Sequence, residues 1–365
     1  MIENKYFKSL AGNIPLPLFF PDATRAVVKT LDSTDIEATK TPGILVNTFH
    51  LYDGLGKKVM QAHKGIRNFM GWKGAVISDS GGFQVMSLIK ANPKIGRVED
   101  KGVVFRLSKK KTEIFSPEKS IDFQMALGTD LLVVLDDFTG PNDKREQARE
   151  TVERTVLWAK RCKKEFEKIC ERKKITRENQ PYLIAVVQGG EYMDLRKECT
   201  QRLCEIGFDG YGYGGWPIDR EGNFDYQSAQ IIADNTPKDS LLYGLGIGKP
   251  NEIAGCVKLG FDIFDCVLPT RDARHKRLYV YEADSINKID VSRDKFYKYY
   301  TPDKEKYYHD TRPISTACDC ALCQNYSRSY LSHLFRIKEL SSLRLASIHN
   351  LRFYSILMEK LRKLR

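Results

Sequence analysis

The sequence predicts an α/β fold built as a (β/α)8 barrel. Short apolar runs with the length of buried strands alternate with longer amphipathic segments through most of the chain, and this alternation indicates parallel β-α units. We expect one strand early in the chain and seven more at Gly43–Asn47, Ala75–Ser78, Leu131–Leu135, Leu183–Val187, Gly210–Tyr213, Leu241–Leu245 and Ile263–Val267.

Two of the segments between these strands carry a helical pattern. In Lys144–Lys173 the apolar residues keep the spacing of one helix face, at Val152, Val156, Ala159, Phe166 and Ile169. In Glu191–Ile206 the same spacing holds for Leu195, Cys199, Leu203 and Ile206. Both segments are therefore predicted to be amphipathic helices.

The same strands also fit an open, doubly wound sheet, but two observations favour the barrel. No Gly-x-Gly-x-x-Gly motif follows the first strand, so the usual dinucleotide-binding signature is missing. Polar residues and glycines also stand at the ends of many predicted strands, where barrel enzymes build their active sites. These strand ends are Asp79-Ser80-Gly81-Gly82, Asp136-Asp137, Gln188-Gly189-Gly190, Gly214-Gly215, Gly246 and Asp265. We expect them to surround a single pocket.

Length and composition suit either one large core with a smaller unit or two ordinary domains, since 42% of the 365 residues are hydrophobic. Beyond Tyr279 the alternation gives way to irregular sequence rich in Tyr, Lys and Asp. We therefore expect the catalytic barrel in residues 1–279. Residues 280–365 are expected to form a unit that ends in two helices and packs on the barrel.

No run approaches the roughly 20 apolar residues of a membrane-spanning helix, and Met1–Lys5 leads into no segment typical of a secretory signal. We expect a cytoplasmic protein. The 59 Lys and Arg against 47 acidic residues give a net charge of +12, which suits a polyanionic partner but also a basic protein without one. The basic clusters Lys109–Lys111 and Arg172–Lys174 are expected in solvated loops or at helix ends.

Three of the nine cysteines lie in one hexapeptide, Cys318-Asp319-Cys320-Ala321-Leu322-Cys323, and the other six are dispersed, which argues against a disulfide framework. The spacing C-x-C-x2-C with His349 further on predicts a Cys3His site, the closed tetrahedral ligand set of a structural Zn²⁺. With all four positions filled by protein, a catalytic zinc is disfavoured. The alternative is free buried cysteines and a surface histidine.

Two aspartates are candidates for chemistry at a sugar carbon. Asp265 stands among apolar strand residues, where a carboxylate is costly unless it is paired or used. Asp79 precedes Ser80 and two glycines that expose backbone amides to a ligand. One carboxylate can attack C1′ of a ribose while the other handles protons. The alternative is that either aspartate caps a helix or pairs with Arg271 or Arg274.

Several motifs follow one another along the chain. They are Asp79-Ser80-Gly81-Gly82-Phe83-Gln84, Gln188-Gly189-Gly190, Gly214-Gly215, Asp265-Cys266-Val267-Leu268-Pro269-Thr270-Arg271 and the set Cys318, Cys320, Cys323 and His349. In this combination the chain resembles the bacterial-type tRNA-guanine transglycosylases, from about Pro15 to Arg365.

The resemblance implies an irregular (β/α)8 TIM-type barrel with an inserted zinc-binding subdomain, as a homodimer. It also implies exchange of the wobble guanine of GUN-anticodon tRNAs for a 7-deazaguanine precursor of queuosine, either 7-aminomethyl-7-deazaguanine or queuine. Asp265 resembles the nucleophile and Asp79 the proton-handling residue. The residues that resemble base-binding positions are Ser80, Phe83, Asp136, Gln188, Gly215 and Trp216. Those that resemble contacts to the neighbouring tRNA bases are Thr270, Arg271 and Arg274.

A purine base has matching chemistry, because its donors and O6 suit a carboxylate, an amide and a glycine N–H, and an extruded base suits an aromatic platform. For Phe83 the alternative is ordinary core packing. Arg271 and Arg274 belong to a basic stretch next to Asp265, as a phosphate backbone requires.

The pocket wall departs from the family pattern G-G-L-[AS]-V-G-E. This chain has Trp216-Pro217-Ile218-Asp219-Arg220 after the two glycines, so Arg220 replaces the glutamate expected to meet an aminomethyl cation, unless Asp219 serves instead. Ile218 stands where queuine-accepting forms have glycine. Asp136-Asp137-Phe138 replaces the usual aspartate-glutamate-cysteine. Neither precursor is favoured by this pattern.

Three other functions compete with this interpretation. One is base exchange with another precursor or nucleic acid, which would share Asp265 and differ at the wall. Another is a non-catalytic RNA-binding partner subunit, which the presence of both Asp79 and Asp265 argues against. The third is a barrel glycoside hydrolase, for which the zinc unit and the basic stretch would have no purpose.

Overall fold

The computed structural model describes residues 5–108, 111–219 and 221–364. In these ranges no helix has both the length and the apolar run that crossing a bilayer requires. The strands in them are β1 Tyr6–Ser9, β2 Gly12–Pro15, β3 Leu18–Pro21, β4 Gly43–Asn47, β5 Ala75–Asp79, β6 Gly96–Glu99, β7 Gly102–Ser108, β8 Lys111–Phe115, β9 Leu131–Val133, β10 Tyr182–Val187, β11 Gly210–Tyr213, β12 Leu241–Gly244, β13 Ile263–Cys266, β14 Leu278–Tyr281 and β15 Tyr297–Tyr300.

The predicted barrel is confirmed. Eight parallel strands form one sheet in the order β3-β13-β12-β11-β10-β9-β5-β4. The two end strands meet at a bridge between Asp22 and Leu45, where the N–H of Ala23 donates to the carbonyl of Leu45 at 2.7 Å. All seven predicted strands are among the eight, with ends within two residues of the prediction, and the expected early strand is β3.

The helices surround this sheet and also build the C-terminal unit. They are α1 Ser33–Ala38, α2 Thr48–Gly54, α3 Gly56–Ala62, α4 Ile66–Met70, α5 Gly82–Ala91, α6 Pro117–Leu127, α7 Arg145–Lys173, α8 Met193–Ile206, α9 Tyr226–Asn235, α10 Pro250–Lys258, α11 Leu268–Arg274, α12 Ala321–Asn325, α13 Arg328–Arg336 and α14 Ser341–Arg362. Short 3-10 turns lie at Pro93–Ile95, Arg177–Asn179, Ile286–Lys288 and Glu305–Tyr307.

The barrel strands are apolar on both faces because one face fills the interior and the other packs under the helices. In β10, Ile184 and Val186 point into the barrel interior, whereas Leu183, Ala185 and Val187 belong to the core between sheet and helices. The predicted helix Lys144–Lys173 is α7, and its predicted apolar face is buried. The cluster Arg172–Lys174 lies at the end of α7 as expected, whereas Lys109 and Lys110 lie outside the described residues.

Three antiparallel additions were not predicted. β6, β7 and β8 form a three-stranded sheet between α5 and α6, β1 pairs with β2, and β14 pairs with β15. The C-terminal helix α14 packs on the barrel, where the ring of Tyr354 lies 4.5 Å from that of Phe19 on β3. β14 spans the expected boundary at residue 279, and that boundary stays a prediction.

Candidate active site

The carboxyl ends of the barrel strands open into a cavity of about 460 Å³. The polar groups at its wall come from different strands, as the sequence predicts for a barrel active site. The residues that line it are Asp22, Thr24, Leu45, Asn47, Asp79, Phe83, Asp136, Phe138, Val186, Gln188, Tyr213, Gly214, Gly215, Trp216, Pro217, Leu245, Gly246, Asp265, Cys266 and Val267.

Asp265 is held at the end of β13 by two hydrogen bonds. The hydroxyl of Tyr243 donates to its Oδ1 at 2.8 Å, and the N–H of Gly246 donates to the same oxygen at 3.0 Å. Within the described residues no ion pair joins Asp265 to Arg271 or Arg274. Because both bonds converge on Oδ1, the second oxygen is the one available to a ligand in the cavity.

Burial raises the pKa of Asp265 to about 7, and the charges of Asp79 and Asp22 act in the same direction. The hydrogen bonds from Gly246 and Tyr243 oppose this shift because they stabilise the carboxylate. A carboxyl group with such a pKa is held in an environment that disfavours its charge, which is a property of functional sites more often than of solvated surfaces.

Asp79 faces the same cavity from the end of β5 and is oriented by Asn47, a residue that sequence reasoning missed. Asn47 is paired with Asp79 in the register of β4 and β5, and its Nδ2 donates to Asp79 Oδ2 at 2.9 Å. The other end of the same amide caps α2, because Asn47 Oδ1 accepts from the N–H of His50 at 3.1 Å. The available signal was an asparagine at the end of a predicted strand.

Asp136 and Gln188 form a second buried pair on the wall. Gln188 Nε2 donates to Asp136 Oδ2 at 2.7 Å, and Gln188 Oε1 accepts from the N–H of Thr139 at 3.1 Å. Burial raises the pKa of Asp136 to about 7, with smaller contributions from the charges of Asp79 and Asp137. The pair therefore offers an acceptor and an amide donor in a place from which water is largely excluded.

The loop after β11 approaches this pair so closely that only glycine fits. A Cβ atom at Gly214 would lie 2.6 Å from Gln188 Nε2 and 2.6 Å from the carbonyl oxygen of Val187. Gly215 has φ of +86°, a left-handed conformation that favours glycine. The backbone of these two residues thus forms part of the cavity wall.

Aromatic side chains stand at the mouth of the cavity. Phe83 is 42% exposed and lies 4.8 Å from the ring of Phe138 in an edge-on arrangement. Trp216 is 51% exposed. The alternative of core packing therefore does not apply to Phe83. Ser80 is buried behind the cavity, where its hydroxyl accepts from the N–H of Gly82 at 3.3 Å.

The cluster Cys318, Cys320, Cys323 and His349 is a candidate metal site. All four residues are buried, and their ligand atoms lie within 4.8 Å of one another. His349 Nδ1 is 3.5 Å from the sulfur of Cys320 and 3.3 Å from that of Cys323. Tetrahedral Zn²⁺ with its usual bond lengths would separate such atoms by about 3.6 Å. The donor types and spacing therefore fit zinc. The alternative of free cysteines with a surface histidine is wrong in placing His349 at the surface, because His349 is buried beside the cysteines.

The other ring nitrogen of His349 is also fixed. His349 Nε2 lies 2.8 Å from the carbonyl oxygen of Tyr279, which orients the ring so that Nδ1 faces the thiols. Asp319, inside the cysteine motif, is bound by the buried guanidinium of Arg352 at 3.1 Å. This ion pair ties the cysteine loop to α14.

Comparison with known proteins gives one consistent result. A model of the family described as queuine tRNA-ribosyltransferase matches residues 7–364. The queuine tRNA-ribosyltransferase of Shewanella putrefaciens is 38% identical over 352 residues, which cover 96% of this chain and 87% of that protein. The chain belongs to this family. A queuine tRNA-ribosyltransferase of Shewanella baltica is 37% identical over the same shares of the two chains.

Beyond Gly215 the chain continues from the cavity wall into a tight turn. Ile218 pairs with Phe224 across a tight turn, and Asp219 Oδ1 accepts from the N–H groups of Glu221 and Asn223 at 2.9 and 2.8 Å. Asp219 is not among the residues that line the cavity. Its carboxylate stabilises the turn through these two hydrogen bonds. Arg220 lies outside the described residues.

The three residues expected at the neighbouring tRNA bases are placed differently from one another. Thr270 is buried, and its hydroxyl donates to the carbonyl of Val267 at 3.3 Å. Arg271 is exposed at the surface of α11. Arg274 is half-buried, and its Nη1 has no hydrogen-bond partner among the described residues. Arg271 is therefore accessible to an anionic ligand and the unpaired Nη1 of Arg274 is buried, whereas the Thr270 hydroxyl is bonded to the backbone of Val267.

Proposed function

We propose that the protein exchanges the wobble guanine of GUN-anticodon tRNAs for a 7-deazaguanine, through a covalent link between Asp265 and ribose. The observation that carries this proposal is the position of Asp265, whose Oδ1 is held by Tyr243 and Gly246 while its second oxygen is left to a ligand in the cavity. Membership of the queuine tRNA-ribosyltransferase family supports the same reaction class.

The chemistry needs two carboxyl groups with different roles. Asp265 Oδ2 attacks C1′ of the ribose, the C1′–N9 bond breaks, and its electron pair leaves with guanine, which takes a proton from Asp79. In the second half, Asp79 takes the proton from N9 of the incoming base, N9 attacks C1′, and the bond to Asp265 breaks. Two displacements on the same carbon retain its configuration.

The recognition edge of a guanine-like base matches the wall. The N1–H and 2-amino group can donate to Asp136, and O6 can accept from Gln188 Nε2 and the Gly215 N–H. Asp136 and Gln188 are buried, so hydrogen-bonding positions that a ligand leaves unused there are costly, which gives a base with this edge an advantage over one without it. Phe83 and Trp216, exposed at the mouth, provide aromatic surfaces for an extruded base.

The RNA partner is supported by charge. The chain carries a net charge of +12, and Arg271 and Arg274 lie on α11, directly after the strand that carries Asp265. We propose that these arginines contact the anticodon loop beside the target nucleotide. Thr270 would join them only if its hydroxyl left the carbonyl of Val267.

The proposed incoming base is 7-aminomethyl-7-deazaguanine or queuine. The engagement of Asp219 in the turn removes one carboxylate from the candidates that would pair with an aminomethyl cation. A 7-substituent lies on the same side of the purine as O6, so it would meet Trp216 next to the Gly215 amide. This wall favours neither base.

We also propose one structural zinc ion per chain at the Cys3His cluster, in the subdomain of residues 280–365. A homodimer would use the exposed side chains of that subdomain, where the rings of Tyr326 and Tyr330 stack at 5.1 Å and where Ile337 and Leu340 are also exposed. The proposed location is the cytoplasm, since all nine cysteines are free of disulfides, as is usual in a reducing compartment.

The test uses anticodon-loop RNA that carries radiolabelled guanine at the wobble position. The enzyme is incubated with this RNA and with queuine, the aminomethyl base or the cyano base, and released label is measured. We expect release by at least one of them, no release of adenine from RNA that carries radiolabelled adenine at the wobble position, and no release of guanine with Asp265→Asn. Asp284→Asn, at an exposed carboxylate far along the chain, is the control and should behave as wild type.

Two results would overturn the proposal. RNA binding without release by any base would favour the non-catalytic partner subunit. A denaturant-stable protein–RNA adduct formed by Asp265→Asn would show that another group is the nucleophile.

A further inference from the structure

Arg196 on α8 is a buried cation that forms no ion pair with a carboxylate in the part of the chain that the structure describes. Its exposed fraction is 1%, and none of the ion pairs among the described residues includes it. The guanidinium lies over the ring of Tyr213, with Cζ 4.6 Å from the ring centroid. A buried charge is costly unless its donors are used, so the groups that accept from it indicate its purpose.

Those groups are backbone carbonyls behind the base pocket. Arg196 Nε donates to the carbonyl of Gly190 at 2.8 Å, and Nη1 donates to the carbonyl of Gly214 at 3.0 Å. Nη1 also approaches the carbonyl of Val187 at 3.4 Å. One planar guanidinium therefore connects the loop after β10 to the loop after β11, and Arg196 itself is not among the residues that line the cavity.

The bond to Gly214 fixes a direction inside the cavity. A peptide unit is planar and trans, so its C=O and N–H point to opposite sides. Since the carbonyl of Gly214 points toward Arg196, the N–H of Gly215 points away from it, toward the cavity that Gly215 lines. Gly215 also lies close to Arg196, because a Cβ atom at this position would be 3.3 Å from Arg196 Nη2.

We propose that Arg196 is a positioning residue for base specificity, which aims the Gly215 N–H at O6 of the purine. The inference rests on the proposed function, because it needs a base read at Gly215. Arginine suits this role better than lysine, since a rigid fork reaches two carbonyls in fixed directions and a single ammonium group does not. The loss of that alignment falls on the contact between the Gly215 N–H and O6, and not on the Asp136 carboxylate, to which Arg196 makes no hydrogen bond.

The test compares two ligands in wild type and in Arg196→Lys. Guanine and 6-thioguanine both donate through N1–H and the 2-amino group, but sulfur is the weaker acceptor at position 6. We measure inhibition of base exchange by each ligand, together with KM for RNA and kcat. Wild type should prefer guanine by about tenfold, and Arg196→Lys should reduce this preference to about twofold while KM for RNA changes little. Arg202→Lys, the same change on the same helix in a residue paired with Glu153, is the control.

Equal weakening of both ligands in Arg196→Lys would overturn the positioning role, because a purely structural defect has no preference for position 6. Arg196→Gln, which retains an amide donor, is a second variant, and thermal melts show whether each is folded. If neither variant folds, Arg196 serves the fold alone and the proposal is wrong. Failure of the proposed function itself is separate, because wild type would then not exchange guanine at all.

Discussion

The carboxylate pocket and the cysteine–histidine cluster both gather ionisable groups from distant parts of the chain, but they do so with opposite electrostatics. Asp79, Asp136 and Asp265 have charges of one sign in a buried cavity, and burial raises the pKa of the last two to about 7. The cluster instead combines thiols and an imidazole at distances that suit one shared cation.

The electrostatics indicate that the carboxylate pocket is suited to a ligand that comes and goes, whereas the cysteine–histidine cluster is suited to one permanently bound metal ion. The cluster is complete once a metal is bound, and the carbonyl of Tyr279 fixes the remaining nitrogen of His349. In the pocket, burial and the neighbouring carboxylates disfavour the charged forms of Asp136 and Asp265. In the proposed function this cost is reduced by a base that supplies hydrogen-bond donors, or by a ribose carbon bonded to Asp265. Catalytic sites commonly reduce stability in this way, whereas structural metal sites increase it.

The largest effect should follow from removing a metal ligand. Cys323→Ser removes one of the four donors, and we expect loss of bound zinc with a fall of several kcal/mol in the free energy of unfolding, since structural zinc sites contribute on the order of 10 kcal/mol in isolated zinc-binding peptides. Elemental analysis and thermal melts measure both quantities. Cys204→Ser, at a half-buried cysteine outside the cluster, should keep its metal. An unchanged melt and metal content in Cys323→Ser would refute the role of the cluster.

In the pocket we expect a smaller change in the free energy of unfolding, and there a substitution should increase stability instead of decreasing it. A carboxyl group with a pKa of about 7 in the folded state and about 4 in the unfolded state binds more protons when folded. The free energy of unfolding therefore decreases as the pH rises from about 4 to about 7, and the penalty is fully present above that range. Asp265→Asn removes the penalty, so it should be more stable than wild type at pH 8, by on the order of 2 kcal/mol, and not at pH 4.5.

Thermal melts of Asp265→Asn and wild type across this range provide the measurement. Asp284→Asn, at an exposed carboxylate, controls for the loss of one negative charge. If Asp265→Asn and wild type differ in stability by the same amount at pH 4.5 and pH 8, then the folded state does not disfavour the charged form of Asp265.

The smallest effect concerns the orientation of Asp79. Asn47→Ser keeps an oxygen to cap α2 but removes the amide that donates to Asp79, and one hydrogen bond to a charged group corresponds to about a tenfold change in rate. We expect kcat to fall by about this factor with little change in melting temperature. Asp32→Ser, which makes a comparable change at the cap of α1, should leave kcat unaltered. A loss of stability without a loss of kcat in Asn47→Ser would assign Asn47 to helix capping alone.

The barrel was predictable because its strands are short, apolar and bounded by polar ends. The seven predicted strands and the buried faces of α7 and α8 follow from the local spacing of apolar residues, which can be read from the sequence alone. The sheet of β6–β8 was missed because its pairing is antiparallel within an insertion and has no strand–helix alternation to reveal it.

The site was predictable where residue type is informative and not where it depends on neighbours. Cysteines in one hexapeptide and aspartates at strand ends stand out from their surroundings. Tyr243, which bonds Asp265, is an ordinary aromatic residue within β12 and gains its role only when β12 and β13 lie side by side. Arg196 is likewise an ordinary helical arginine until folding brings Gly190 and Gly214 within its reach.

The central claim is that Asp265 bonds to ribose during the reaction, and mass spectrometry of the trapped enzyme tests it most directly. The enzyme is incubated with a GUN anticodon hairpin, denatured, and digested with ribonuclease and trypsin. We predict a nucleotide remnant on the tryptic peptide Leu259–Arg271, with fragment ions that place it on Asp265 and not on Asp262. A remnant on the peptide Gly74–Lys90, which contains Asp79, would contradict the account.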